Sequence, residues 1–404
     1  MTITGEGSVA LQKSKTTIFD ILLYTYVILL PIGTGLAGII GSISLMNYIS
    51  IGIMLCGIVS CVNRRVIIIY SNVVATLLYY LYTVLSVLWS PNASLNWYVM
   101  TNAANFVLLL ILNLHEWKEN EIESINRCVL ISQLVVFYAV VINISSLFSY
   151  RLSITIVSTI GTSDFACGLC LIIALWMRVA STTSKPLWRV ISFVAIAVDA
   201  AIIIMAGSRG ALVMVAAMVL VWLFLGSYTR KTKIAITVAV LAALFILSNY
   251  FMELMPATIT NRLTLSAIQS SRGSGRFNIW GLAWETFVNS DIIKMTFGNG
   301  FDSFLHAISY GSHGGHQDLL AHNVFVQTMI EGGIVGLVLL LRMMITQIRL
   351  AWKTNDNMMK IALVGLFVAA LSIDMQVTRI WGFILALNLM RNSRGTLNEN
   401  NTTI

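Results

Sequence analysis

The sequence predicts an all-α polytopic membrane protein, with about twelve transmembrane helices and one large polar loop. Three observations support this prediction. The 404-residue chain is 57% hydrophobic and only 10% charged, whereas soluble domains carry about 25% charged residues. Its mean hydropathy is +0.84. The apolar residues form continuous runs, without the alternation of barrel strands, that are long enough to cross a hydrocarbon core of about 30 Å as helices.

The predicted spans are joined mostly by short polar connectors. The first span follows two lysines and is expected to be a retained signal anchor, with a kink at Pro31. The charged segment 115–127 has the spacing of a short surface helix, and the mixed stretch 151–161 is expected at the membrane surface. The predicted spans are 18–38, 39–61, 66–89, 97–114, 128–149, 164–180, 190–206, 211–228, 234–252, 323–341, 361–373 and 380–390.

The basic residues predict the orientation of these spans. With the N-terminus in the cytoplasm, most of the 25 lysines and arginines fall on the cytoplasmic side, as the positive-inside rule requires. The net charge of +8 is thereby explained without nucleic-acid binding. The chain then divides into spans one to nine (1–252), a periplasmic loop (253–322), spans ten to twelve (323–391) and a cytoplasmic tail (392–404).

Two basic residues stand out among those assigned to the periplasmic side. Arg209 lies in the tight connector Gly207-Ser208-Arg209-Gly210, between two spans with almost no loop. It is either an interfacial anchor or a rigidly placed anion site. Arg276 opens a predicted amphipathic helix, where a positive charge is poorly matched to the helix dipole, so an anionic partner is expected. Lipid headgroups are the simpler alternative for that partner.

The predicted helix after Arg276 has an aromatic face suited to lying on a bilayer. Trp280 and Trp284 lie on it and are expected to face lipid. His322 stands where the loop re-enters the membrane. It can be neutral near pH 7 and accept a proton, or it can be an interfacial or capping residue. A metal cluster of His306, His313 and His316 is disfavoured, because no carboxylate set or regular ligand spacing accompanies it.

Two acidic residues fall within predicted spans. Asp199 lies about ten residues before Arg209, and acids at such positions are often functional. It is equally explained by pairing with a neighbouring helix. Glu331 follows His322 by nine residues, and it either supports the site or caps a helix break at Gly332-Gly333.

Three motifs lie in the second half of the chain. Ser208-Arg209-Gly210 stands at a helix end. Arg276 is followed by the aromatic helix and then by Gly298-Asn299-Gly300-Phe301. His322-Asn323 is followed by nine residues, Gly333, two residues and Gly336. Together they resemble the O-antigen ligase and Wzy-type polymerase superfamily of bacterial polysaccharide assembly, and the third motif is the most specific.

The resemblance implies a GT-C-like glycosyltransferase of the bacterial inner membrane that acts on undecaprenyl-diphosphate-linked oligosaccharides. Arg209 and Arg276 would hold the diphosphate, because a guanidinium binds phosphate oxygens in pairs. His322 would be the general base on the acceptor hydroxyl. The donor is already activated, so no metal or other cofactor is expected. The candidate supporting residues are Asn323, Glu331, Asp199 and Arg272.

The family divides by acceptor. A polymerase extends the glycan on another lipid-linked repeat unit, whereas a ligase transfers it to lipid A–core. Leu337-Val338 stands where a ligase often has Thr-Trp, which favours a polymerase. The expected partners are the lipid-linked oligosaccharide and membrane lipid, with a chain-length regulator as a further candidate. The rival class is a flippase or transporter, which twelve spans and Asp199 would suit, but polar residues do not cluster near the midplane.

Overall fold

The computed structural model describes the helical bundle and part of the polar loop. Arg262, Arg272, His313 and His316 lie outside the described residues, as does most of the predicted span 234–252. The described residues are 17–38, 44–62, 71–91, 97–115, 117, 119–146, 152–226, 230–231, 234, 238, 276–309, 321–354, 356–376 and 378–401.

The described residues are almost entirely helical, and the bridge between Thr155 and Thr159 is the strand-like pairing found among them. Short 3₁₀ helices follow α1 at Leu30–Leu36 and α3 at Val87–Trp89. The α-helices are α1 (Ile18–Leu29), α2 (Leu45–Val62), α3 (Ser71–Ser86), α4 (Trp97–Leu114), α5 (Glu119–Asn143), α6 (Thr162–Gly168), α7 (Cys170–Thr182), α8 (Pro186–Met205), α9 (Arg209–Leu225), α10 (Arg276–Val288), α11 (Ile292–Phe297), α12 (Phe304–Ser309), α13 (Val324–Lys353), α14 (Asn357–Ala369) and α15 (Arg379–Asn401).

The centre of the bundle is formed by α14 and the first half of α15. Residues 379–390 are all buried, including Trp381 and Phe383, and most of α14 is buried as well. A helix that is apolar on every side is stable where other helices surround it. The two shortest predicted spans, 361–373 and 380–390, therefore lie at the middle of the bundle, with α4, α7, α9 and α13 packed around them.

The predicted spans that fall within the described residues coincide with helices. Among the described residues, five stretches are long and apolar enough to cross a membrane, and shorter apolar helices accompany them. An all-helical polytopic membrane protein is therefore supported. The five stretches are Ile18–Leu36, Asn120–Asn143, Thr162–Thr182, Pro186–Met205 and Val324–Lys353.

Two local expectations can be compared directly with the structure. At the predicted kink, α1 ends at Leu29 and a 3₁₀ helix begins at Leu30, with Pro31 in its first turn. The segment 115–127 does not form a separate surface helix, because most of it belongs to α5, which runs without a break from Glu119 to Asn143. At the start of the segment 115–127, the ring of His115 stacks on that of Phe19, with centroids 4.7 Å apart.

Candidate functional site

His322 lies immediately before α13 in a backbone conformation that few residues adopt. Its φ is +48°, in the left-handed region that costs most non-glycine residues free energy. The side chain is half-buried. Strain of this kind persists only where the surrounding contacts hold the backbone, so those contacts define the site.

Asn323 supplies several of these contacts. Its Oδ1 caps α13 by accepting from the amides of Phe325 (2.9 Å) and Val326 (3.1 Å). Its Nδ2 donates to the carbonyl of Leu371 at 3.1 Å. The next amide, of Val324, donates to the carbonyl of Ala370 at 2.9 Å. The residue after His322 is thus fixed both to α13 and to the segment that follows α14.

Arg276 is the first residue of α10, and it is brought close to His322. Burial lowers the pKa of His322, and the positive charge of Arg276 lowers it further. The helix is positioned by Trp280, whose Nε1 donates to the carbonyl of Ala321 at 2.8 Å. The guanidinium of Arg276 is therefore near enough to the imidazole of His322, at the start of α13, to lower its pKa.

Arg209 reaches the same end of the bundle from another direction. It is half-buried as the first residue of α9, directly after the N-cap residue Ser208. A Cβ on Gly210 would lie 2.3 Å from Ser372 Oγ, so α9 begins in close contact with the segment after α14. Asn323, at the start of α13, donates to the carbonyl of Leu371, the residue before Ser372. Consecutive Cα atoms are about 3.8 Å apart, so α9 and α13 begin beside neighbouring residues of one segment.

The Gly298-Asn299-Gly300-Phe301 motif lies against a kink in α13. The amides of Asn299 and Gly300 donate to the carbonyls of Ile330 and Glu331, at 3.0 and 2.9 Å. The kink is at Gly333, where φ is +62°. A Cβ on Gly298 would lie 2.2 Å from the carbonyl oxygen of Glu331, so a side chain there would separate the two segments. The glycines of both motifs thus serve one packing contact between loop and helix.

Glu331 connects this kink to the backbone beside His322. The Glu331 side chain is buried, and its Oε1 accepts from Gln327 Nε2 at 2.5 Å. Gln327 Oε1 in turn accepts from the amide of Ala321 at 3.4 Å. Glu331 therefore lies within α13, and Gln327 connects its carboxylate to the backbone of Ala321.

A buried polar network lies on the other side of Glu331. Tyr98 donates to Asp374 Oδ2 at 3.0 Å, and Gln376 Nε2 donates to the Tyr98 hydroxyl at 3.4 Å. Gln376 Oε1 accepts from Tyr79 at 3.1 Å and from Thr328 at 3.2 Å. Burial raises the pKa of Asp374 to about 7. This network connects α3, α4, α13 and the segment after α14.

Some predicted site residues lie elsewhere. Asp199 is buried in α8 and accepts from Gln133 Nε2 of α5 at 2.8 Å, which matches the helix-pairing alternative. Trp284 is 59% exposed, and its contact with lipid stays a prediction. Trp280 is half-buried, and its indole bonds to the carbonyl of Ala321. Arg272 lies outside the described residues.

Several polar residues around the site were not predicted from the sequence. Asp374 and Gln376 belong to the connector between the last two predicted spans, on the same side as the loop. The presence of an acid and an amide in so short a connector could have indicated both residues. Nothing in the sequence indicated Gln327 and Tyr98, because isolated polar residues in apolar helices are common. Within the described part of the chain, no group of three or more His, Cys, Asp or Glu side chains could hold a metal ion.

Comparison with known protein families places this site in context. Residues 193–341 match the family model described as O-antigen ligase. The matched region runs from α8 into α13, and it includes Arg209, Arg276 and His322. No curated protein sequence matches the chain. The match confirms the resemblance of the three motifs to the O-antigen ligase and polymerase superfamily, over the region 193–341.

Proposed function

We propose that the protein is a polysaccharide polymerase of the bacterial inner membrane. It would transfer an undecaprenyl-diphosphate-linked glycan chain to a sugar hydroxyl of another lipid-linked repeat unit. The family match supports glycosyl transfer from a lipid-linked donor. The predicted orientation supports a periplasmic reaction, with both termini in the cytoplasm.

In the proposed reaction, His322 removes the proton from the acceptor hydroxyl. The oxygen then forms a bond to the anomeric carbon of the donor, and the bond from that carbon to the diphosphate oxygen breaks. The diphosphate leaves with the polyprenyl chain, and the proton remains on a ring nitrogen of His322. One displacement inverts the anomeric centre. A positioned base of this kind typically contributes about 10²–10⁴-fold to the rate.

Arg276 and Arg209 would bind the diphosphate. A guanidinium stays charged at all physiological pH values and presents paired donors to phosphate oxygens. It would also stabilise the negative charge that develops as the bond to the diphosphate breaks. Because these side chains begin two different helices, α10 and α9, their positions are fixed by the packing of those helices.

The single observation that carries the proposal is the position of Arg276 beside a half-buried His322. A histidine that only anchors the chain to headgroups gains from a positive charge, so lowering its pKa would weaken that role. A general base needs the neutral ring, and burial together with Arg276 favours that form by lowering the pKa. The same cation is also placed to attract the anionic donor.

The acceptor is the part of the proposal that separates polymerase from ligase. Leu337-Val338, after Gly336, favours the polymerase over transfer to lipid A–core. A chain-length regulator is a further candidate partner. Deleting the gene tests these alternatives together. Loss of a polymerase leaves single repeats on the surface. Loss of a ligase leaves long chains on undecaprenol, and loss of a flippase leaves repeats inside the cell. Long chains that persist at the surface would contradict all three.

A further inference from the structure

A cavity of about 1190 Å³ lies between α10, α11, α12 and the end of α3. Its lining includes none of Arg209, Arg276 and His322. Pockets for small ligands usually measure about 300–1,000 Å³. This cavity is therefore large enough for a ligand of its own, and the proposed chemistry does not use it.

Helix α10 separates the cavity from the region of His322, with a different face on each side. Leu282, Glu285 and Asn289 line the cavity, and their spacing of three and four residues places them on one face of the helix. Trp280 bonds to Ala321, and Ala283 is buried in the cluster that contains Ala321. The helix that positions Arg276 against His322 thus forms a wall of the cavity with its other face.

The lining combines aromatic rings with polar groups. Tyr82 and Trp89 lie edge to face with ring centroids 6.0 Å apart, and Phe297 lines the same space. Among the described residues, the side chains of Glu285 and Asn289 have no hydrogen-bond partner. Asp291 differs, because its carboxylate caps α11 by accepting from the amides of Ile293 and Lys294.

We propose that this cavity binds an oligosaccharide segment of the glycan, away from the reacting sugar. A sugar ring has a C–H face that packs on aromatic rings and a rim of hydroxyls that bonds to carboxylates and amides. A hydrocarbon tail would instead leave Glu285 and Asn289 facing it without partners, which costs free energy. The assignment rests on the proposed function, because it takes the glycan to be the substrate.

The position of the cavity fits a remote subsite. The Tyr82 hydroxyl contacts the carbonyl of Gly332 at 2.9 Å, so the wall of the cavity reaches the kink in α13. Gly332 follows His322 by ten residues, and a helix rises about 1.5 Å per residue, which gives roughly 15 Å between the two. A saccharide held there would occupy the part of the chain behind its reacting end.

The test measures binding by the full-length protein in nanodiscs. The probe is the lipid-free oligosaccharide repeat released by mild acid from the glycan of the producing cell. We expect Trp89→Ala and Glu285→Gln to weaken its binding at least about tenfold, or about 1.4 kcal/mol. The isosteric Glu285→Gln keeps the test valid if Trp89→Ala does not fold. Trp188→Ala on α8 is the control, because Trp188 is 46% exposed and Trp89 is 43% exposed.

This proposal would be overturned if the native protein did not bind the probe, or if both cavity variants bound the probe as tightly as the native protein does. It would also be overturned if the cavity variants lost binding of undecaprenyl phosphate and kept binding of the saccharide. The His322→Asn variant separates this proposal from the proposed function, because it should keep the saccharide affinity of the native protein. If the native protein bound the saccharide without any transfer, the proposed transferase function would be refuted and the proposed saccharide subsite would stand. Transfer with unaltered binding in the cavity variants would refute the subsite alone.

Discussion

His322 and Arg276 lie close together at the start of α13, where burial lowers the pKa of the imidazole and the guanidinium charge lowers it further. The reactive form of a general base is the neutral ring. Since the pKa lies below the ordinary value of 6.5, the base is present at neutral pH. It is lost as the pH falls through the lowered pKa.

The first prediction concerns this pH dependence. In the native protein, kcat/KM should rise with pH along a limb whose midpoint lies below 6.5. Arg276→Gln removes the charge, so the pKa of His322 rises and the limb moves to higher pH, in addition to a lower maximal rate. Burial still lowers the pKa in that variant, so the limb should move only part of the way. The measurement is the pH profile of transfer from a lipid-linked donor.

Arg209→Gln is the control for that profile. Arg209 is not among the groups that shift the pKa of His322, so this variant should lower the rate and leave the limb in place. A limb that is unmoved in Arg276→Gln would show that the two side chains do not interact as proposed.

The second prediction is that His322→Ala abolishes transfer while the lipid-linked donor accumulates. A loss of about 10²–10⁴-fold is expected for removal of a general base. His322→Asn is the better-behaved companion, because asparagine accepts the left-handed backbone at φ +48° more readily than alanine does. Donor and product are measured by extracting lipid-linked glycans. Normal glycan from the asparagine variant would remove the base from the mechanism.

The third prediction tests whether the arginines act as guanidinium groups or simply as positive charges. Arg209→Lys and Arg276→Lys keep the charge and lose the paired donors. If each binds the diphosphate in the transition state, kcat should fall by about 10²–10³-fold, as it does when one oxyanion donor is removed elsewhere. Full activity in both lysine variants would assign these residues to general attraction of the anionic membrane surface.

The fourth prediction concerns the contact between the loop and the kink of α13. Gly298→Ala would place a Cβ 2.2 Å from the carbonyl oxygen of Glu331, at a φ of +76° that alanine rarely adopts. The loop should separate from α13, with a lower melting temperature and little transfer. Gly281→Ala on α10 is the matched control, since nothing lies within 4 Å of its Cβ position and alanine favours a helix by up to about 1 kcal/mol over glycine.

Much of the bundle was predictable because apolar runs of sufficient length must form helices in lipid. Helix boundaries were less predictable. The segment 115–127 was expected to be a short surface helix because of the spacing of its residues. However, no glycine or proline interrupts residues 119–143, and without such a residue the backbone continues as one helix, α5.

The site was predictable in its residue types and only partly in its contacts. Arg276 and His322 were paired by motif, and the structure brings them together. Trp280 and Trp284 share the aromatic face of α10, so sequence spacing alone could not distinguish them. Tertiary packing does, because only Trp280 reaches the carbonyl of Ala321. The partner of Asp199 was equally hidden, since Gln133 lies on another helix and 66 residues away.

The last prediction separates the two roles of Asn323. Asn323→Ala removes both the cap of α13 and the bond to Leu371, so it should lower stability by about 1 kcal/mol and also slow transfer. Asn323→Asp keeps an acceptor for the amides of Phe325 and Val326, and its negative charge suits the helix N-terminus. It loses the donor to Leu371. It should therefore retain the cap while still slowing transfer.

A cap far from the site supplies the control for these variants. Thr17 caps α1 through a capping box with Asp20, so Thr17→Ala should cost about 1 kcal/mol of stability with transfer unchanged. Melting temperature and single-turnover rate are measured for all three variants. If Asn323→Asp transferred as fast as the native protein, the bond to Leu371 would have no part in positioning His322. The left-handed backbone at His322 would then depend on the cap of α13 and on the contact between Trp280 and Ala321.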